Sequence, residues 1–214
     1  MATFAKGILG GYSGKVGNVI GTSWKGKDVV RSLPTIRKNR VFTQTQLDQQ
    51  EKFGLMIQFT KTMSSLLSTT FKAYGKGVSA INAAMSYNLQ NAINSLVSPF
   101  NISYPLILVS RGVLPNTSQA SATGIAGNKI QFNWANNAGI GKASDNDKVI
   151  LVVHCPALNH TEYILGGKMR NELTQTMDLP LFSGETVETW LAFISESGTI
   201  VSNSMYTGFV NVTA

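Results

Sequence analysis

Residues 7–40 read GILGGYSGKVGNVIGTSWKGKDVVRSLPTIRKNR, and we expect the rest of the chain to be organised around them. Seven glycines fall within the first twenty residues of this segment, far above average usage. Apolar side chains interrupt the glycines throughout: Ile8, Leu9, Val16, Val19, Ile20, Trp24, Val29 and Val30. Because ordering glycine costs conformational entropy, and because apolar side chains favour burial, we expect the segment to pack on a surface, either its own or a partner's.

The positive charge of the chain is concentrated in the same segment. The 214 residues carry 18 Lys and Arg against 11 Asp and Glu, a net charge of +7. Residues 1–40 hold eight of these cations and one acid, Asp28, whereas residues 102–214 hold six cations and eight acids. This asymmetry favours an anionic partner, which would be nucleic acid, an acidic protein face or a membrane surface. The alternative is a solvated face that only keeps the protein soluble.

The centre of the segment predicts a β-hairpin. Residues 15–24 and 27–33 are rich in β-prone side chains and flank Lys25–Gly26, which suits a two-residue turn. That turn places three pairs of residues opposite each other: Trp24 and Lys27, Thr22 and Val29, Ile20 and Arg31. The resulting face mixes apolar and cationic groups, as expected for a surface partly covered by a partner. Pro34 ends the second strand, and residues 36–40 form a basic connector.

Helical patterns follow the hairpin. Thr43 and Gln46 match a capping box, and apolar residues then recur at helical spacing as far as Tyr74. Two glycines end this helix, and a second apolar stripe runs over residues 78–96. The short break between them predicts an antiparallel helical hairpin.

From residue 102 onward the apolar period changes to two, which is typical of strands. We predict seven strands, over residues 104–110, 128–134, 148–155, 161–168, 173–179, 186–195 and 203–213. Turn-rich stretches separate them, including residues 115–127 and 136–147. Seven short strands with regular turns predict a β-sandwich, with Trp134 in its core.

Together these patterns predict an α+β protein with three parts. These are a basic N-terminal β-hairpin arm (residues 1–40), an antiparallel helical hairpin (41–101) and a seven-stranded immunoglobulin/fibronectin-like β-sandwich (102–214). Because the last part contains its own turns and alternation, we expect it to fold alone. Its pattern resembles the fibronectin type III layout, with Trp134 on the second strand, an apolar residue before the sixth, and Trp190 where that family usually has a tyrosine.

Four segments resemble landmarks of a domain-of-unknown-function family that is widespread in Bacteroidota: GILGGYSGKVGNVIGTSWKGKDVVRSLP, TQTQLDQQEKF, INAAMSYNLQNAI and YPLILVSRGVLP. The resemblance implies no catalytic residues, because none are established for that family. A basic hairpin followed by Arg-Ser-x-Pro and a Thr/Gln-capped helix is also similar to small phage and prophage virion proteins.

The motifs of enzymes and metal sites are incomplete. Residues 10–15 imitate a phosphate-binding loop, but Leu9 replaces its first glycine and Val16 replaces the hydroxyl that would bind Mg²⁺. Adjacent His154 and Cys155 point to opposite faces of a strand, so they are poorly placed to ligate one metal. We expect Cys155 in the sandwich core and His154 on the surface. The only other candidates near them are His160 and Glu162, and we predict no metal, no cofactor and no enzymatic activity.

Two classes of function remain. In the first, the chain is a structural or assembly subunit, virion- or appendage-like, that binds copies of itself or other assembly proteins through its arm and helices. In the second, the basic arm tracks the phosphates of a nucleic acid. The valines of the arm require burial, so we favour assembly. In either case the predicted binding residues are Trp24, Lys25, Lys27, Arg31, Arg37, Lys38 and Arg40.

The sequence also bears on location. No run of eighteen apolar residues predicts a membrane span, and no apolar signal-type region follows Lys6. One cysteine, Cys155, excludes an internal disulfide. We therefore expect the protein in the cytoplasm or in a particle assembled inside the cell.

Overall fold

A computed structural model describes residues 3–4, 10–24, 26–34, 41–75, 77–94 and 98–213. The chain divides into two compact units, Met1–Thr43 and Gln44–Ala214. Within these described residues, the first unit contains one antiparallel sheet, and the second contains three α-helices and two further sheets.

The N-terminal unit is a four-stranded meander in which each strand pairs with the next. Its strands are β1 (Thr3–Phe4), β2 (Tyr12–Val16), β3 (Val19–Trp24) and β4 (Lys27–Ser32). The predicted register between β3 and β4 is confirmed, with Trp24 opposite Lys27 and Ile20 opposite Arg31. The prediction of one strand over residues 15–24 is wrong, because Gly17 takes a φ of 56° and turns the chain between β2 and β3. A φ in this left-handed region favours glycine.

The helices of the second unit are α1 (Gln44–Lys61), α2 (Ser64–Thr70) and α3 (Ala80–Asn91). We expected one helix as far as Tyr74, but it breaks after Lys61. The hydroxyls of Thr60 and Thr62 donate hydrogen bonds to the carbonyls of Met56 and Phe59, at 2.8 and 2.7 Å. Such bonds compete with the backbone ladder and bend or end helices.

The seven strands that follow are β5 (Ala120–Ile125), β6 (Lys129–Trp134), β7 (Lys148–Cys155), β8 (His160–Met169), β9 (Thr174–Asp178), β10 (Thr186–Ile194) and β11 (Met205–Asn211). They form a three-stranded sheet of order β5-β6-β9 and a four-stranded sheet of order β11-β10-β7-β8. The predicted α+β class with a β-sandwich is confirmed.

Two strand predictions need correction. Residues 104–110 are not a strand. Pro105 lies in a 3-10 turn over Tyr104–Leu106, and apolar side chains beyond this turn pack in the core together with those of the helices. Conversely, β5 lies in the stretch 115–127 that we predicted as turns.

Strand β7 is buried on both faces, which makes the second unit three layers deep. Val149, Leu151, Val153 and Cys155 face the core between the two sheets. Ile150 and Val152 face the other way and pack with the helices, as do Trp190, Ala192 and Ile194 of β10. The helices and the sandwich therefore belong to one compact unit, where we expected a boundary between residues 101 and 102.

Candidate binding surface on the N-terminal sheet

Strand pairing sorts the side chains of the N-terminal sheet onto two faces. Side chains alternate along a strand, and residues directly opposite each other share a face. One face, here called the basic face, carries Lys15, Ile20, Thr22, Trp24, Lys27, Val29 and Arg31. The other, here called the valine face, carries Tyr12, Gly14, Val16, Val19, Gly21, Ser23, Asp28, Val30 and Ser32.

The basic face carries three cations among apolar side chains. Ile20 lies between Lys15 on one neighbouring strand and Arg31 on the other. At the end of the sheet Trp24 lies opposite Lys27 and is 63% exposed. No acid stands on this face among the residues that the structure describes, so its field attracts anions.

The valine face is mainly apolar. Val16, Val19 and Val30 are 47%, 36% and 58% exposed, and Asp28 is the single acid there. The ring of Tyr12 lies against Gly21, where an added Cβ would come within 2.6 Å of a ring carbon. Glycine at position 21 therefore leaves the space that this aromatic ring occupies.

Among the described residues of the N-terminal unit Gly21 alone is buried, so these residues form no core of their own. An exposed sheet with apolar side chains on both faces is unusual for a stable protein surface and is typical of an interaction site.

The structure brings together three of the seven predicted binding residues. Trp24, Lys27 and Arg31 share the basic face. Lys15, which is not among the seven, joins them because the turn at Gly17 places it opposite Ile20. The Gly-Asn pair at residues 17–18, which favours a two-residue turn, is the sequence signal for this position. The other four predicted residues, Lys25, Arg37, Lys38 and Arg40, lie outside the described residues.

The chemical candidates of the sandwich lie inside the second unit. Cys155 is buried in the sandwich core, as predicted. His154 is also buried, contrary to our prediction, because the helices cover its face of β7. The centre of its ring lies 4.9 Å from the ring centre of Phe59, with the two rings edge to face. Its Nδ1 lies 2.8 Å from the hydroxyl oxygen of Thr161. Burial lowers the pKa of His154 from 6.5 to about 4, so the ring is neutral at pH 7.

Among the described residues, no group of three or more His, Cys, Asp or Glu side chains stands close enough to hold a metal ion. None of the helices in this part of the chain has the length and apolar character needed to cross a membrane.

These features define the protein as an α+β sandwich protein with an exposed basic sheet at its N-terminus. Residues 11–208 match the model of DUF6266, a family of unknown function, and the chain belongs to that family. No curated protein matches the chain. Among solved structures it is similar to the FN1–FN3 domains of chicken CNTN1, with a TM-score of 0.37 and 10% identity over 49% of this chain and 36% of that one.

Proposed function

We propose that this protein is a non-enzymatic assembly subunit that associates with further copies of itself through the valine face of its N-terminal sheet. The observation that carries the proposal is the exposure of three valines on the valine face, among the residues of this sheet that the structure describes. Val16, Val19 and Val30 share one side of it and remain a third to a half exposed or more. Exposed apolar side chains grouped on one face favour burial against a partner.

A second copy suits this face because an apolar face is buried well by the same apolar face of another copy. Two sheets stacked about 10 Å apart around a two-fold axis would interdigitate the valines of both copies. The cations of the basic face, Lys15, Lys27 and Arg31, would then point outward into solvent on opposite sides of the dimer. Their mutual repulsion is weak there because water and salt screen it.

The expected dimer is weak. Covering six partly exposed valines contributes on the order of 5–9 kcal/mol, at about half the value for complete burial of each side chain. Association costs roughly 4–15 kcal/mol in lost freedom. The two terms are of similar size, so we expect a dimer that depends on concentration and on neighbouring contacts in a larger assembly.

The non-enzymatic part of the proposal is supported by the positions of the reactive side chains. Cys155 is fully buried in the sandwich core, where a substrate cannot reach its thiol, and His154 is buried on the opposite face of β7 against Phe59. The similarity to small phage and prophage virion proteins is consistent with an assembly role and stays a prediction.

The basic face favours a second candidate function, the binding of nucleic acid. Lys15, Lys27 and Arg31 share this face with an exposed Trp24, which offers both phosphate contacts and a stacking surface. Three phosphate contacts predict that the logarithm of affinity falls with the logarithm of salt concentration at a slope of roughly −2 to −3.

Sedimentation velocity of the purified chain tests both candidates. It is run at low and high salt, with and without a mixed-sequence oligonucleotide. Oligomers that form without nucleic acid and survive high salt support assembly, because apolar contacts are insensitive to screening. A monomer that binds the oligonucleotide only at low salt supports the second candidate. A monomer that does neither contradicts both.

A further inference from the structure

Two arginines of the second unit stack on aromatic rings, but they differ in what their N–H groups contact. The guanidinium of Arg170 lies 3.8 Å from the ring centre of Phe193, and its N–H groups donate to Asp147, Asn137 and the carbonyl of Pro115. The guanidinium of Arg111 lies 4.3 Å from the ring centre of Tyr74 and 4.7 Å from that of Tyr87. No described residue accepts a hydrogen bond from the Arg111 side chain or forms an ion pair with it.

The position of Arg111 is set from several directions. Its backbone N–H donates to the carbonyl of Thr70 at the end of α2, at 3.3 Å. Tyr74 comes from the 3-10 turn that follows α2, and Tyr87 comes from α3. The two rings restrict the rotamers of the arginine, which reduces the entropy lost when it binds a ligand. The donors lie in the plane of the guanidinium, so stacking leaves its edge available.

A groove of about 520 Å³ lies beside this arginine. Along its wall α3 presents Asn82, Ser86 and Gln90, spaced four residues apart and therefore on one stripe. The stripe is about 12 Å long, at 1.5 Å per helical residue. Arg111 is the only charged residue among the described residues that line the groove.

We propose that this groove binds the carboxylate of a peptide, with Arg111 as the partner of the carboxylate. A planar guanidinium matches a carboxylate with two parallel hydrogen bonds, and the groove offers the ligand no repelling acid. The amide and hydroxyl side chains of the α3 stripe supply donors and acceptors for peptide groups upstream of the carboxylate. A small organic acid would contact Arg111 alone, whereas the length of the stripe suits several residues. All residues of this groove belong to the second unit, so peptide binding here is independent of the assembly role proposed for the N-terminal sheet.

Chemical-shift mapping by ¹H–¹⁵N NMR on the full chain tests the proposal. The probe is acetyl-trialanine with a free carboxylate, compared with the same peptide carrying a C-terminal amide and with glutarate. We expect the free acid to shift the Arg111 side-chain signal and the α3 amides, and the amidated peptide to bind about tenfold more weakly or not at all. Equal binding of acid and amide, or shifts that map elsewhere, would overturn the proposal. Glutarate binding as tightly as the peptide would overturn the assignment to a peptide.

Two substitutions separate binding from a merely structural role of the stacked arginine. Arg111→Lys keeps the charge but loses the planar fork, and we expect it to weaken binding of the free acid by about tenfold. Gln90→Ala leaves the stack between the two tyrosines intact. It should weaken binding of the peptide while leaving glutarate binding unchanged. If Gln90→Ala affects neither probe, the α3 stripe is not part of the site and the proposal fails.

Discussion

Arg170 and Asp147 form an ion pair that is almost entirely removed from solvent. Their Nη2 and Oδ2 atoms lie 3.1 Å apart, and their side chains are 0% and 2% exposed. The same arginine donates to the carbonyl of Pro115, and its own carbonyl accepts a hydrogen bond of 2.8 Å from the indole of Trp134. Desolvation lowers the pKa of Arg170, and the neighbouring carboxylate of Asp147 opposes that effect. The pair thus holds three loops at one end of the sandwich.

Removing one member of this pair should strongly destabilise the fold. Asp147→Ala leaves a buried guanidinium without its counter-charge, and we expect the free energy of unfolding to fall by about 3–5 kcal/mol. Urea denaturation measures this change. The matched control is Asp178→Ala, which removes the exposed pair between Lys129 and Asp178 and should cost only about 0.2–1 kcal/mol. Similar losses in both variants would show that burial does not determine the strength of these contacts.

His154 should make the stability depend on pH. Its pKa is lowered from 6.5 to about 4 by burial, so between these values the unfolded chain binds a proton that the folded chain does not. The free energy of unfolding is therefore highest above pH 6.5 and falls as the pH drops toward 4, by up to roughly 3 kcal/mol from this residue. His154→Gln removes the titrating group and should flatten the dependence, as measured by urea denaturation at several pH values. The same slope in wild type and variant would contradict this origin.

The two tryptophans Trp134 and Trp24 should differ in their effect on stability. Trp134 is 5% exposed in the sandwich core, and Trp134→Ala should lower the free energy of unfolding by about 3–5 kcal/mol. Trp24 is 63% exposed, so Trp24→Ala should change the stability little. Thermal melts of both variants check this, and equal shifts in Tm would be inconsistent with the assigned environments.

The helices should be needed for the sandwich to fold, against our expectation from the sequence. Residues 102–214 alone would expose the outer face of β7 and β10, including Ile150, Val152 and the fully buried Trp190. We expect this fragment to unfold without a cooperative transition, whereas residues 44–214 should melt cooperatively. A sharp transition in the shorter fragment would restore the idea that the sandwich is an independent domain.

Much of the N-terminal sheet was predictable because a two-residue turn leaves little freedom of register. The pairing of Trp24 with Lys27 determines the other pairs along β3 and β4. The turn at Gly17 is harder to predict because it interrupts a run of β-prone residues. Strand β5 is hard to predict because ASATGI contains mostly small residues, and its place as a strand depends on pairing with β6.

The burial of His154 and the Arg170–Asp147 pair were not predictable in the same way. A period of two shows that side chains alternate, but it does not show whether a helix covers the outer face of the sheet. The uninterrupted apolar run over residues 149–153 was the available signal, since strands buried on both faces lose their alternation. Residues 147 and 170 are 23 positions apart and meet only because loops from different strands converge.

Self-association through the valine face is tested most directly by two adjacent lysine substitutions. Val29 and Val30 are neighbours on β4, but Val29 lies on the basic face and Val30 on the valine face. Val30→Lys places an unpaired charge in the proposed interface, while Val29→Lys adds the same charge and loses the same side chain on the opposite face. Sedimentation velocity at matched concentrations should show a monomer for Val30→Lys and the wild-type oligomer for Val29→Lys. Wild-type behaviour of both variants, or equal dissociation of both, would contradict assembly through the valine face.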